Sequence, residues 1–99
     1  MTDPVELTKA LIRCASVTPK DEGAIGLVEH ALEKAGFSTS RIQRGGIENL
    51  FARWGSGRTL GFNGHTDVVP TGEVSAWRHD PFSATVNDGM IFGLSLIHI

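Results

Sequence analysis

The sequence is short of several things, and each shortage closes off a class of protein. Cysteine occurs once, at Cys14, so an internal disulfide is excluded, and there is no spaced Cys or His partner for a cysteine-based zinc site. No stretch approaches the ~20 consecutive apolar residues of a membrane-spanning helix. Met1-Thr2-Asp3-Pro4 lacks the basic segment and apolar core of a signal peptide. Positive charge is not in excess: the formal net charge is −2, so nucleic-acid binding has no electrostatic footprint. Repeats, linkers and low-complexity tracts are missing as well. The expectation is a protein of the reducing cytoplasm, with no membrane and no nucleic acid among its partners.

What remains is ordinary globular composition, 40% hydrophobic and 20% charged over 99 residues. That length makes one small domain at most, or part of a larger one. A chain this short buries only about 60–65% of its unfolded surface, which leaves little margin of stability. Twelve glycines point to many turns.

Asp3 followed by Pro4, with Glu6 three residues on, reads as a capped helix start. Leu7, Leu11 and Cys14 repeat at helical spacing, so a helix is expected over residues 4–15, with Cys14 as a small buried hydrophobe. Pro19 ends that run by disfavouring the helical region at Thr18. Asp21 or Glu22 can start a second helix, whose apolar face is Ile25, Val28, Leu32 and Ala35 and whose exit is Gly36. Strands are expected over residues 37–42 and 49–54, with Arg44-Gly45-Gly46 as a turn and with Leu50, Ala52 and Trp54 on one face of the second. Gly55-Ser56-Gly57-Arg58 reads as a hairpin loop and Thr59 to Asn63 as the returning strand. Asn87-Asp88-Gly89 reads as a tight turn between two more short strands. Two helices followed by several strands imply an α/β fold.

Chemistry concentrates in Gly64-His65-Thr66-Asp67-Val68-Val69-Pro70. An apolar strand that stops at a glycine and presents His-x-Asp is one way to build a metal ligand with its own orienting carboxylate. A lone histidine near a strand end is also what a packed or surface residue looks like, and Asp67 equally suits a loop start. Other machinery fails on spacing. A His-x-His-x-Asp site needs a histidine where Asn63 stands. A nucleophile elbow at Ser56 or Ser95 lacks one or both flanking glycines. A dinucleotide fingerprint from Gly55 meets Leu60 where it needs glycine. His30 reads as part of a solvated helix face and His79 as a surface histidine, while Trp77 and Phe82 should pin the following loop onto the sheet.

With these residues in view, the chain resembles the zinc-dependent aminoacylase and carboxypeptidase group. The likeness rests on Ser16-Val17-Thr18-Pro19, Ala35-Gly36-Phe37, Asn49-Leu50-Phe51-Ala52-Arg53, residues 64–70, Trp77, Asp80-Pro81-Phe82, and Asp88 to Gly93. The Ser-Val-Thr-Pro bend and the Asn-Leu-Phe-Ala-Arg strand are closer to the desuccinylase branch than to the deacetylase one. The resemblance implies the incomplete N-terminal part of a helix-flanked mixed β-sheet of the di-zinc aminopeptidase and carboxypeptidase type. It implies two divalent ions, zinc or cobalt, with His65 matching the first histidine ligand and Asp67 the catalytic acid that supports it. It further implies water attack on the amide of a small N-acyl amino acid, N-succinyl-LL-diaminopimelate, releasing succinate and LL-diaminopimelate for lysine and cell-wall precursor synthesis. A homodimer is implied at full length. Deacetylase or general aminoacylase activity is the alternative within the group, and a non-catalytic α/β interaction module the alternative outside it.

The likeness stops after Gly93. The group continues with Arg-Gly and then a metal-bridging aspartate, whereas this chain reads Leu94-Ser95-Leu96-Ile97-His98-Ile99. The expectation is therefore that residues 1–93 are the N-terminal part of a metallohydrolase catalytic domain, that 94–99 are an unmatched tail, and that the piece by itself is inactive. His98 is read as part of a terminal strand, not as a substitute ligand.

Overall fold

The computed structural model of the chain describes residues 3–94. Helix α1 (Pro4–Arg13) begins where the Asp3 carboxylate accepts from the N–H groups of Val5 (2.8 Å) and Glu6 (3.4 Å). These are donors that no helical carbonyl reaches. Glu6 does not complete the reciprocal box; its carboxylate meets Lys9 Nζ at 3.0 Å instead. The helix ends two residues before the expected 15, and Cys14 sits at its cap with its thiol against the Ala10 carbonyl.

Helix α2 (Ala24–Lys34) starts from Asp21, whose carboxylate accepts from Gly23 and Ile25 N–H. It closes at Gly36, φ +96°, with Gly36 N–H bonded to Glu33 and Phe37 N–H to Leu32. This paired closure satisfies orphan carbonyls and turns the chain into β1 (Ser38–Arg44). β1 pairs antiparallel with β2 (Ile47–Arg53), Arg44 opposite Ile47. The two-residue loop Gly45-Gly46 has φ of +58° and +80°, the left-handed geometry that matches strand twist and that glycine adopts without cost.

Thr39 and Arg41 of β1 face α2: the Thr39 hydroxyl donates to Glu33 (2.7 Å), and Arg41 bonds Glu29 at 2.6 Å. Their cross-strand partners Ala52 and Leu50 share that half-buried face, as the alternation predicted. Trp54 does not join them; it lies beyond the strand's end and is exposed. β3 (Thr85–Asn87) and β4 (Met90–Phe92) form a second antiparallel pair around Asp88 and Gly89. The expected turn there is present.

Two expectations are corrected. Residues 59–63 form no strand, so Gly55–Arg58 is not a hairpin loop. A strand needs an edge to take its N–H and C=O groups, and residues 59–63 pair with none of the described strands. Leu60 and Phe62 are 80% and 93% exposed as a result. The α/β class holds, with two helices and two small antiparallel sheets, but a single helix-flanked mixed sheet is not assembled among the described residues. There are two separate two-stranded antiparallel sheets, and the one parallel contact among the described residues is the bridge between Val17 and Val68.

That bridge ties the stretch after α1 to the His-x-Asp segment. Val68 N–H donates to Ser16 O (2.9 Å) and Thr18 N–H to Val68 O (3.1 Å). The hydroxyl of Ser16, only 2% exposed, donates to Thr66 O at 2.8 Å. Nearby, Ile12 of α1 packs on Gly93, where a Cβ would come 2.4 Å from Ile12 Cγ2. Leu94 is buried beside them, its N–H bonded to Pro81 O. The expectations for Ser95 and His98 lie outside the described residues.

The chain is loosely gathered. Its radius of gyration is 15.0 Å, against about 13 Å for a compact domain of this length. Its accessible surface is 7675 Å², against roughly 5,500 Å² for a globule of the same mass. Among the described residues no helix is long and apolar enough to cross a membrane.

Replacing Ser16 by Ala leaves the Thr66 carbonyl without its buried donor. The variant should lose about 1–2 kcal/mol of stability in urea denaturation, with faster amide exchange at Val68.

Candidate metal centre

His65 and Asp67 stand in an irregular segment, not at the end of a strand. Their placement comes from the bridge at Val68, which fixes the backbone just beyond them. The segment forms one wall of an open cleft of about 1320 Å³, and β2 with part of α2 lines the other. Thr18, His65 and Asp67 meet at this cleft.

The geometry of the pair is specific. His65 Nδ1 lies 2.9 Å from Asp67 Oδ1 and 3.2 Å from the Asp67 carbonyl. Both are acceptors, so Nδ1 is the donor and, in the neutral ring, the Nε2 lone pair is left free. The imidazole is 68% exposed, which leaves that nitrogen open to a ligand. The Asp67 carboxylate thus contacts the ring directly, the arrangement in which a carboxylate can align a histidine. Its other oxygen, Oδ2, accepts from the Thr18 hydroxyl at 2.5 Å.

The Thr18 hydrogen bond holds the Asp67 carboxyl below the ordinary value of 3.8; burial opposes it, and the His65 contact adds a lesser lowering. The native acid therefore stays ionised at a pH where the unfolded chain takes up a proton. Its stabilisation is complete above about pH 4 and is lost as pH falls through the lower native value.

One imidazole and its acid do not make a whole site. Among the described residues, no three His, Cys, Asp or Glu side chains converge to hold a cation. The donor set fits one histidine ligand of a larger centre, since catalytic zinc sites use about three protein ligands. Cys14 does not contribute: burial first, then the nearby carboxylates of Asp21 and Glu22, push its thiol up and keep it protonated. His30 is exposed on α2. His79, expected at the surface, is half-buried and packs on the ring of Phe92 with centroids 4.6 Å apart. Trp77 is half-buried and ties its own loop together, donating from Nε1 to Thr71 O at 3.0 Å.

Sequence reasoning treated Ser16 and Thr18 only as parts of a bend. The signal for more was their spacing: hydroxyls two residues apart on an extended stretch point to the same side.

Residues 61–97 match the model of Peptidase family M20/M25/M40. Over 95 residues, 93% of this chain, the sequence is 57% identical to succinyl-diaminopimelate desuccinylase 1 of Ruegeria sp. (strain TM1040). It is 56% identical over 94 residues to the succinyl-diaminopimelate desuccinylase of Ruegeria pomeroyi, and 54% identical over 94 residues to that of Cereibacter sphaeroides (strain KD131 / KCTC 12085), each match covering 92% of this chain. The chain spans about a quarter of the length of these curated relatives.

A carbon-detected NMR titration should find the Asp67 carboxyl titrating below pH 3.8, with the Val68 amide shift following the same curve.

Proposed function

We propose that this chain supplies the histidine-bearing quarter of a metal-dependent amidohydrolase that removes succinate from N-succinyl-LL-diaminopimelate. The observation that carries the reading is the His65–Asp67 pair, its Nδ1 occupied by acceptors and its Nε2 open to the cleft. The likeness to desuccinylases over nearly the whole chain supports the substrate.

In this reading His65 gives its Nε2 lone pair to one of two divalent ions, zinc or cobalt. Asp67 keeps the ring in the Nδ1–H tautomer and stops it rotating out of position. When bound, such a cation polarises an amide carbonyl and lowers the pKa of water. Residues 1–93 are the part of the catalytic domain that carries the site, and 94–99 a tail outside it, although the family match itself runs on to residue 97. The general base, the bridging carboxylate and the remaining ligands belong to the other three quarters of a protein of the relatives' length. A cytoplasmic setting, a small-molecule substrate and a homodimer go with the whole protein. The extended shape and the exposed Phe51, Leu60 and Phe62 support this division, because they leave apolar surface for further sequence to cover.

The test is a chimaera in which residues 1–93 replace the matching segment of the Ruegeria sp. desuccinylase. The chimaera should hydrolyse N-succinyl-LL-diaminopimelate, lose activity to a chelator, and regain it with zinc or cobalt. Asp67→Asn should cost 10–100-fold in activity or metal affinity, roughly what a carboxylate behind a metal-bound histidine is worth. His65→Ala should cost more. The 99-residue chain alone should show no turnover. A folded chimaera that binds metal equally well with and without His65 would sink the reading in favour of a non-catalytic module.

A further inference from the structure

We propose that Thr18 is a positioning residue of this site: its hydroxyl fixes the Asp67 carboxylate, which in turn fixes the metal-binding nitrogen of His65. The inference rests on the reading of His65 as a ligand.

A carboxylate held at one oxygen can rotate about its Cβ–Cγ bond and lose its alignment with a neighbouring ring. Here both oxygens are engaged, Oδ1 by His65 Nδ1 at 2.9 Å and Oδ2 by Thr18 Oγ1 at 2.5 Å. One donor is two residues from the carboxylate and the other 49 residues away, so neither can follow the other if the carboxylate turns. Thr18 itself is anchored. Its N–H donates to Val68 O, and Val68 N–H donates to Ser16 O, so its backbone is bonded on the far side of the residue that carries the carboxylate. The hydroxyl's other acceptor, Val68 O, is 3.4 Å away and competes weakly. A hydrogen bond to a charged group is the stronger choice.

An imidazole without a partner samples both tautomers, and only the Nδ1–H form leaves Nε2 able to bind a cation. Thr18 therefore acts on the ligand without touching it. A valine there keeps the shape and removes the donor; a serine keeps the donor and removes a methyl group.

Long-range proton–nitrogen NMR of the 99-residue chain, at a pH where the ring is neutral, reads the His65 tautomer directly and needs neither metal nor substrate. The native chain and Thr18→Ser should show predominantly the Nδ1–H form, and Thr18→Val a mixture shifted toward Nε2–H. In the chimaera, Thr18→Val should weaken metal affinity about 10–100-fold, with Thr18→Ser restoring most of it and KM for the succinyl substrate little changed. An unchanged tautomer in Thr18→Val overturns the proposal. So does loss of Val68 amide protection in that variant, because the hydroxyl would then be a structural strut. These results are separable from the enzyme reading: a chimaera that fails to hydrolyse sinks that reading, whereas only the tautomer and the valine-against-serine contrast decide the part played by Thr18.

Discussion

The site of this molecule depends on a short parallel clasp between residues 16–18 and 66–68. Backbone bonds from Val68 to Ser16 and from Thr18 to Val68 place the two stretches side by side, and the buried Ser16 hydroxyl seals the join at Thr66. Neither stretch belongs to a regular sheet. Without the clasp, His65 and Asp67 would lie on a loop free to sample many arrangements, and the two contacts at Nδ1 would compete with water. With it, the backbone on the C-terminal side of the pair is fixed, and the carboxylate is gripped from both sides. The clasp also explains why an exposed pair is so well aligned. Surface ion pairs alone contribute little, so the alignment has to come from the covalent chain around them.

Local signals in the sequence were legible wherever the partner was close by. Asp3 and Pro4 start α1, Gly36 ends α2, and Gly45-Gly46 and Asp88-Gly89 turn their hairpins, because capping and left-handed turns are decided within a few residues. The alternation at Leu50 and Ala52 was legible for the same reason: β1, which carries the register, is the adjacent strand. The stretch from Thr59 to Asn63 reads as a strand by composition yet forms none, since strand formation requires a neighbour that periodicity cannot guarantee. The His-x-Asp pairing was legible from spacing alone. The part of Thr18 was not, because its partner lies 49 residues away. Nothing local marks a hydroxyl as belonging to a carboxylate on another loop.

The surface carries a second kind of information. Phe51, Trp54, Leu60 and Phe62 are each more than half exposed, and several of them border the cleft beside His65. Scattered apolar residues are common on proteins, but these four gather along one cleft. Metal chemistry of the proposed kind needs a dry, shaped enclosure as well as ligands, and in the proposed reading these side chains are part of its wall.

The helix–hairpin unit from Ala24 to Arg53 closes through partners near one another in the chain, with Arg41 and Thr39 reaching back to Glu29 and Glu33. Contacts of that kind form quickly, whereas those spanning half the sequence wait on loop closure. On a ribosome, which releases the chain from its first residue onward, the unit can therefore be finished while Val68 is still within the exit tunnel. The histidine is set into place only after its scaffold is already standing.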